Sequence, residues 1–131
     1  MASIIVLDAS ALIAHLEAED EHHEAAEALL AREIDDDSGA NPLTLAQVLV
    51  VPARDDRLDE ARLVLRELEV EELPLPGDTA VELARLRSET GLEMPDCGVL
   101  RAAEHVGGRL ASFDDGLRRA AMERGLQAVA P

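Results

Sequence analysis

Residues 4–8 read Ile4-Ile5-Val6-Leu7-Asp8, an apolar and largely β-branched run closed by an acid. A stretch so short and so uniformly apolar marks a strand buried on both faces, the setting of a parallel sheet covered by helices. Helical patterns follow at Ser10–Glu17 and at His22–Glu33, where Ala26, Leu29 and Leu30 fall at helical spacing. Asp35–Gly39 reads as a loop. Thr44 and Gln47 have capping-box spacing and open an apolar helix running to Val51. Ala61, Val64, Leu65 and Leu68 form the next helical stripe, and Val70–Leu73 is a strand closed by Pro74 and Pro76. Thr79 and Glu82 make a second capping box on a helix that ends near Gly91. Pro95 suits the first turn of a further helix, with Val99, Ala103 and Val106 on its inner face and Gly107-Gly108 at its end. Arg109–Phe113 is a strand, Gly116–Arg124 a helix and Leu126–Ala130 a last strand. Strands alternating with helices imply an α/β fold with a parallel sheet. No repeat or long linker interrupts the pattern, so residues 1–131 read as a single domain.

Composition narrows the function. The chain has 131 residues, 47% of them apolar, which provides for one real core. It carries 28 acids against 12 Arg and no Lys, for a net charge of −16. Residues 17–37 and 67–97 hold most of the acidity, whereas residues 98–131 are slightly basic. Such a field repels polyanions and excludes a nucleic-acid binder that works through a basic patch. It leaves open an enzyme that meets phosphate through bound cations. Phe113 is the only Phe, Tyr or Trp, so composition offers no platform for stacking bases. Cys97 is alone, which excludes an internal disulfide and fits a reducing compartment. No spanning segment is present, and the reading is of a soluble, cytoplasmic domain.

In parallel α/β sheets, ligands bind beyond the carboxyl ends of the strands, where the strand order reverses. Acids stand at those ends here. Asp8 follows the first strand, Asp114 and Asp115 follow the strand carrying Ser112 and Phe113, and Asp96 opens the helix before that strand. Each Asp alone is explained as a helix cap. Together they need more, because two carboxylates about 4 Å apart repel by roughly 4 kcal/mol at an effective dielectric near 20. A cation among them removes the conflict, and all-oxygen ligands favour Mg²⁺ or Mn²⁺. That points to metal-assisted phosphate chemistry. Acid-pocket phosphatases and phosphoaspartate receivers fit poorly, since they need a Lys and Asp8-Ala9-Ser10 is not Asp-x-Asp. No glycine-rich phosphate loop is present. His22 and His23 read as surface or structural residues in an acidic helix, and Cys97 as a packing residue.

Val6-Leu7-Asp8-Ala9-Ser10-Ala11-Leu12-Ile13, Met94-Pro95-Asp96-Cys97-Gly98-Val99-Leu100 and Leu110-Ala111-Ser112-Phe113-Asp114 together resemble the PIN domain. The closer likeness is to the small VapC-type toxins of bacterial toxin–antitoxin pairs, over nearly the whole chain. This resemblance implies a three-layer α/β/α sandwich around a parallel sheet of order 3-2-1-4-5. It implies Mg²⁺- or Mn²⁺-dependent ribonuclease activity on an RNA substrate, inhibition by a co-encoded antitoxin, and homodimers. Carried over by position, Asp8, Asp96 and Asp114 resemble the family's metal-binding acids. Ser10 and Ser112 resemble the hydroxyl residues that orient them, and Asp115 is a supporting acid beside Asp114.

One position departs from the family pattern. Where the family has a Glu in the helix after the second strand, this chain has Gln47. An amide keeps an oxygen able to ligate a hard cation but takes one negative charge from the site, which weakens divalent binding. Two readings stay open: a ribonuclease with a weakened metal site, and a non-catalytic PIN-like module acting through a protein partner. Arg101, Arg118 and Arg119, in the least acidic segment, are candidates for steering the phosphate backbone. The acidity also suits an antitoxin tail that is basic and apolar.

Overall fold

The computed structural model describes residues 4–129. Five parallel strands, β1 (Ile4–Leu7), β2 (Asp37–Ala40), β3 (Val70–Glu72), β4 (Arg109–Ala111) and β5 (Ala128–Val129), form one sheet of order β3-β2-β1-β4-β5. Ala130, the expected end of the last strand, lies outside the described residues. The helices are α1 (Ala9–Leu16), α2 (His23–Arg32), α3 (Pro42–Arg54), α4 (Leu58–Glu67), α5 (Thr79–Thr90), α6 (Met94–Val106) and α7 (Asp115–Glu123). Among the described residues, no helix is long and apolar enough to cross a membrane.

The period-two alternation of a strand sorts β1 between two cores. Val6 packs with Leu100, Leu110, Leu117 and Ala121 under α5, α6 and α7. Ile5 and Leu7 pack with Leu12, Leu29, Val48 and Leu65 under α1 to α4. Helices on both faces of a parallel sheet make the three-layer α/β/α sandwich, and the strand order is the one the PIN resemblance implies. Because the order reverses at β1, the ends of β1 and β4 meet in the crevice where such folds hold ligands. Gly91 and Gly107 close α5 and α6 in the left-handed conformation, φ +72° and +64°, which costs glycine little.

Three local expectations are corrected. Residues 37–39, expected in a loop, belong to β2. Asp37-Ser38-Gly39-Ala40 contains no β-branched or aromatic residue, so its strand character comes from pairing with β1 and β3 rather than from propensity. Small residues are required there: a Cβ on Gly39 would stand 2.8 Å from Leu73 Cγ. The cap of α3 is Asn41, not Thr44, with Asn41 Oδ1 accepting from Thr44 N at 2.9 Å and Pro42 in the first turn. Thr79 lies inside α5, and its hydroxyl donates to the Pro76 carbonyl at 2.5 Å instead of capping the helix.

Candidate active site

Asp8 ends β1 and caps α1, with Oδ1 accepting from Ala11 N at 2.9 Å. Its helix-capping role is therefore real, yet it is only part of the residue's surroundings. Ser10 Oγ donates to both carboxylate oxygens, at 2.7 and 2.9 Å, and Ser112 Oγ donates to Oδ2 at 2.5 Å. Each hydroxyl is itself fixed by the loop leaving β4. Phe113 N donates to Ser10 Oγ at 3.1 Å, and Asp114 N donates to Ser112 Oγ at 2.9 Å. Two short relays thus tie the β4 loop to one carboxylate and hold its rotamer. Asp8 is 4% exposed. Burial pushes its carboxyl above the ordinary value, the bonds from Ser112, Ala11 and Ser10 pull it down, and the charge of Asp114 adds to the rise.

Asp114 caps α7, with Oδ1 accepting from Leu117 N at 2.8 Å. Asp96 comes from the first turn of α6, whose N-cap is Glu93, and is half-buried. Its carboxyl is pushed up to about 6, first by burial and then by the charges of Asp114, Asp8 and Glu93. The three acids therefore share one electrostatic environment although they come from distant stretches of chain. Glu93 is a further acid facing Asp96 that the sequence reading did not single out; only its position at the start of α6 could have signalled it.

The remaining expected residues are distributed around this cluster. Asp115 starts α7 and pairs with Arg118, which also donates to the Ser112 carbonyl at 3.2 Å and so lies against the end of β4. Arg119 is exposed on the same helix. Arg101 bonds Asp78 at 2.7 Å at the start of α5, and its buried Nε has no partner among the described residues. Gln47 is exposed on α3, and among the described residues it makes no hydrogen bond to the acids. Asn41, at the end of β2, is 1% exposed, and its Nδ2 has no partner among the described residues. It was missed because Thr44 and Gln47 offered a competing cap.

Among the described residues, no three His, Cys, Asp or Glu side chains already stand at metal-ligand distance. The donor set nonetheless fits a hard divalent cation. Its members are carboxylates, the charge of Asp114 raises the proton affinity of Asp8 and Asp96, and Arg118 bonds a carbonyl beside them rather than one of the three. Loss of the Ser112 hydroxyl tests the relay. Ser112→Ala takes from Asp8 Oδ2 the shorter of its two hydroxyl donors and leaves Ser10, a cost of about 1 kcal/mol, and it should lower divalent affinity roughly tenfold. Thermal denaturation and calorimetric titration with Mn²⁺ measure the two effects.

The PIN domain model matches residues 5–123, which takes in β1 from Ile5, β2 to β4 and all the acids above. The chain belongs to the PIN domain family. No curated protein matches its sequence significantly. Among solved structures, this PIN domain is similar to Mycobacterium tuberculosis VapC20, described as a sarcin-ricin loop cleaving toxin, with TM-score 0.75 and 19% identity over 97% of this chain and 99% of that one. FitAcB from Neisseria gonorrhoeae gives TM-score 0.72 and 19% identity, covering 97% of each chain. A toxin–antitoxin complex from Klebsiella pneumoniae gives TM-score 0.71 and 20% identity, covering 84% of this chain and 86% of that one. At these identities the likeness speaks for the fold, and the PIN architecture accounts for the strand order found here.

Proposed function

We propose that this PIN domain is a metal-dependent endoribonuclease, the toxin of a VapBC-type toxin–antitoxin pair. The observation that carries this reading is the shared field of Asp8, Asp96 and Asp114 at the ends of β1 and β4. Mg²⁺ or Mn²⁺ bound there supplies an acidified water and neutralises charge developing on the phosphate. Asp8 would hold the ion through a carboxylate whose orientation Ser10 and Ser112 fix. Asp96 and Asp114 complete the donor set. Burial and the charges of Asp114, Asp8 and Glu93 disfavour the ionised form of Asp96, and a bound cation would offset them and hold the carboxylate charged. Arg118 and Arg119, at the start of α7, guide the phosphate backbone past an otherwise acidic surface.

The partner follows from the same charge. An antitoxin segment rich in Arg or Lys would place a cation among the acids, with its apolar residues laid on the early helices, and the toxin is expected to be cytoplasmic and homodimeric. Several solved relatives are toxin–antitoxin assemblies, which supports this assignment.

The direct experiment is cleavage of single-stranded RNA by the purified chain in Mg²⁺ or Mn²⁺. Cleavage abolished by a chelator and restored by excess metal supports the reading; no cleavage at millimolar metal contradicts it. Gln47 favours a second reading, a PIN-like module that binds a protein partner without catalysis, because the family's acid is missing and the amide lies exposed. Gln47→Glu discriminates between the two. If position 47 belongs to the metal site, the restored charge should raise Mn²⁺ affinity roughly tenfold, read by calorimetry, and raise cleavage in step. Unchanged affinity places Gln47 outside the site.

A further inference from the structure

Composition excluded a stacking platform, but the fold builds one from residues far apart in sequence. Phe113, between Ser112 and Asp114, stacks on His22 with ring centroids 4.4 Å apart and planes inclined by 7°. Both partners are held in place. Phe113 packs on the Leu7–Leu12 core, and its amide is fixed by Ser10 Oγ. The His22 amide donates to Asp20 Oδ1 at 2.8 Å, and its ring lies 3.4 Å from Glu21. The His22 side chain stays 47% exposed although its inner face is covered by Phe113. The half-exposed His22 ring is thereby tied, through Phe113, to the loop whose amides bond the two serines that orient Asp8.

We infer that the His22–Phe113 pair is the base-stacking subsite of the RNA, taking the nucleobase next to the scissile phosphate. This rests on the ribonuclease reading above. The acids around His22, namely Glu19, Asp20, Glu21 and Glu24, repel a phosphate but not an uncharged base. The strand accordingly lies with its base on His22 and its phosphate turned away from those acids, toward the metal bound by Asp8, Asp96 and Asp114 and the α7 arginines. Stacking is sequence-tolerant, because every base has a π-face, so the pair fixes position rather than base identity. It replaces, with two rings, the aromatic surface that a chain lacking Trp and Tyr does not otherwise have.

The test is steady-state cleavage of a single-stranded oligoribonucleotide in Mn²⁺, with the cut mapped first on the wild-type protein. His22→Ala should raise KM roughly tenfold with kcat unchanged, since base–aromatic stacking is of that order per base. His22→Phe should restore KM, and Phe113→Leu should weaken it by removing the ring beneath. The helix itself does not depend on the imidazole, as α2 has no side-chain cap bond from His22. An oligonucleotide abasic beside the cut should show the same raised KM with wild-type protein and no further rise with His22→Ala. Equal KM values for wild type and His22→Ala, or equal abasic penalties in both, overturn the subsite while leaving the nuclease standing. A wild-type protein that neither binds nor cleaves RNA overturns both, and is recognised by that control.

Discussion

Asp8→Asn is expected to reduce metal-dependent RNA cleavage by at least about a hundredfold, the scale at which removal of a charged ligand disables divalent binding and the water it acidifies. The substitution is close to isosteric. Asn keeps one oxygen to accept from Ala11 N, and Ser112 Oγ has a lone pair free to accept from the new amide nitrogen. It also replaces a buried carboxylate whose charged form is disfavoured by its surroundings. The melting temperature should therefore hold or rise while activity disappears. That combination separates a lost metal ligand from a lost fold. Retained cleavage would remove Asp8 from the chemistry.

Divalent metal is expected to raise the melting temperature by roughly 10 °C at pH 7.5 when present at a hundred times its dissociation constant. Binding to the folded state alone stabilises by about 2.7 kcal/mol at that ratio, and a domain of this size shifts by roughly 4 °C per kcal/mol. The pH dependence fixes the origin of the effect. Asp96 titrates at about 6 in the folded chain and at its ordinary 3.8 when unfolded. Between those values the folded state binds more protons, so stability falls as pH rises. The penalty is absent below the lower value, develops through the interval and is complete above about 6. Metal should relieve it at pH 7.5 and do little at pH 4, where Asp96 is protonated in the folded chain. Because 28 acids add a general charge effect, the quantity to follow is the difference between wild type and Asp96→Asn. That difference should be small at pH 4 and largest in metal-free buffer at pH 7.5, with Asp96→Asn the more stable. Equal melting curves with and without Mn²⁺ at pH 7.5 contradict the account.

Much of this architecture can be read from the chain because local and global signals agree. Ile4-Ile5-Val6-Leu7 admits no other burial than between two helical layers, and Gly91 and Gly107 stop their helices by conformations that other residues adopt at a cost. β2 could not be read this way. Gly39 leaves no room for a Cβ under Leu73, a tertiary demand that resembles loop chemistry in sequence. The cap of α3 illustrates a related ambiguity: Asn41-Pro42 and Thr44-Leu45-Ala46-Gln47 both satisfy capping rules, and the buried Asn41 is the one used. At the site, Asp8 and Asp114 could be placed near one another because the ends of neighbouring strands in a parallel sheet converge by topology. The Ser10 and Ser112 relays became visible as bonds only when β1 and β4 were placed side by side. The His22–Phe113 stack carried no signal, since nothing in the order of residues brings the start of α2 to the end of β4.

The most direct measurement is anomalous diffraction from a crystal of the protein soaked in Mn²⁺. A peak bounded by oxygens of Asp8, Asp96 and Asp114, about 2.0–2.3 Å from its ligands and lost in Asp8→Asn, is the predicted result. Millimolar Mn²⁺ that leaves this pocket empty, or binds only at carboxylates elsewhere on the acidic surface, would contradict it.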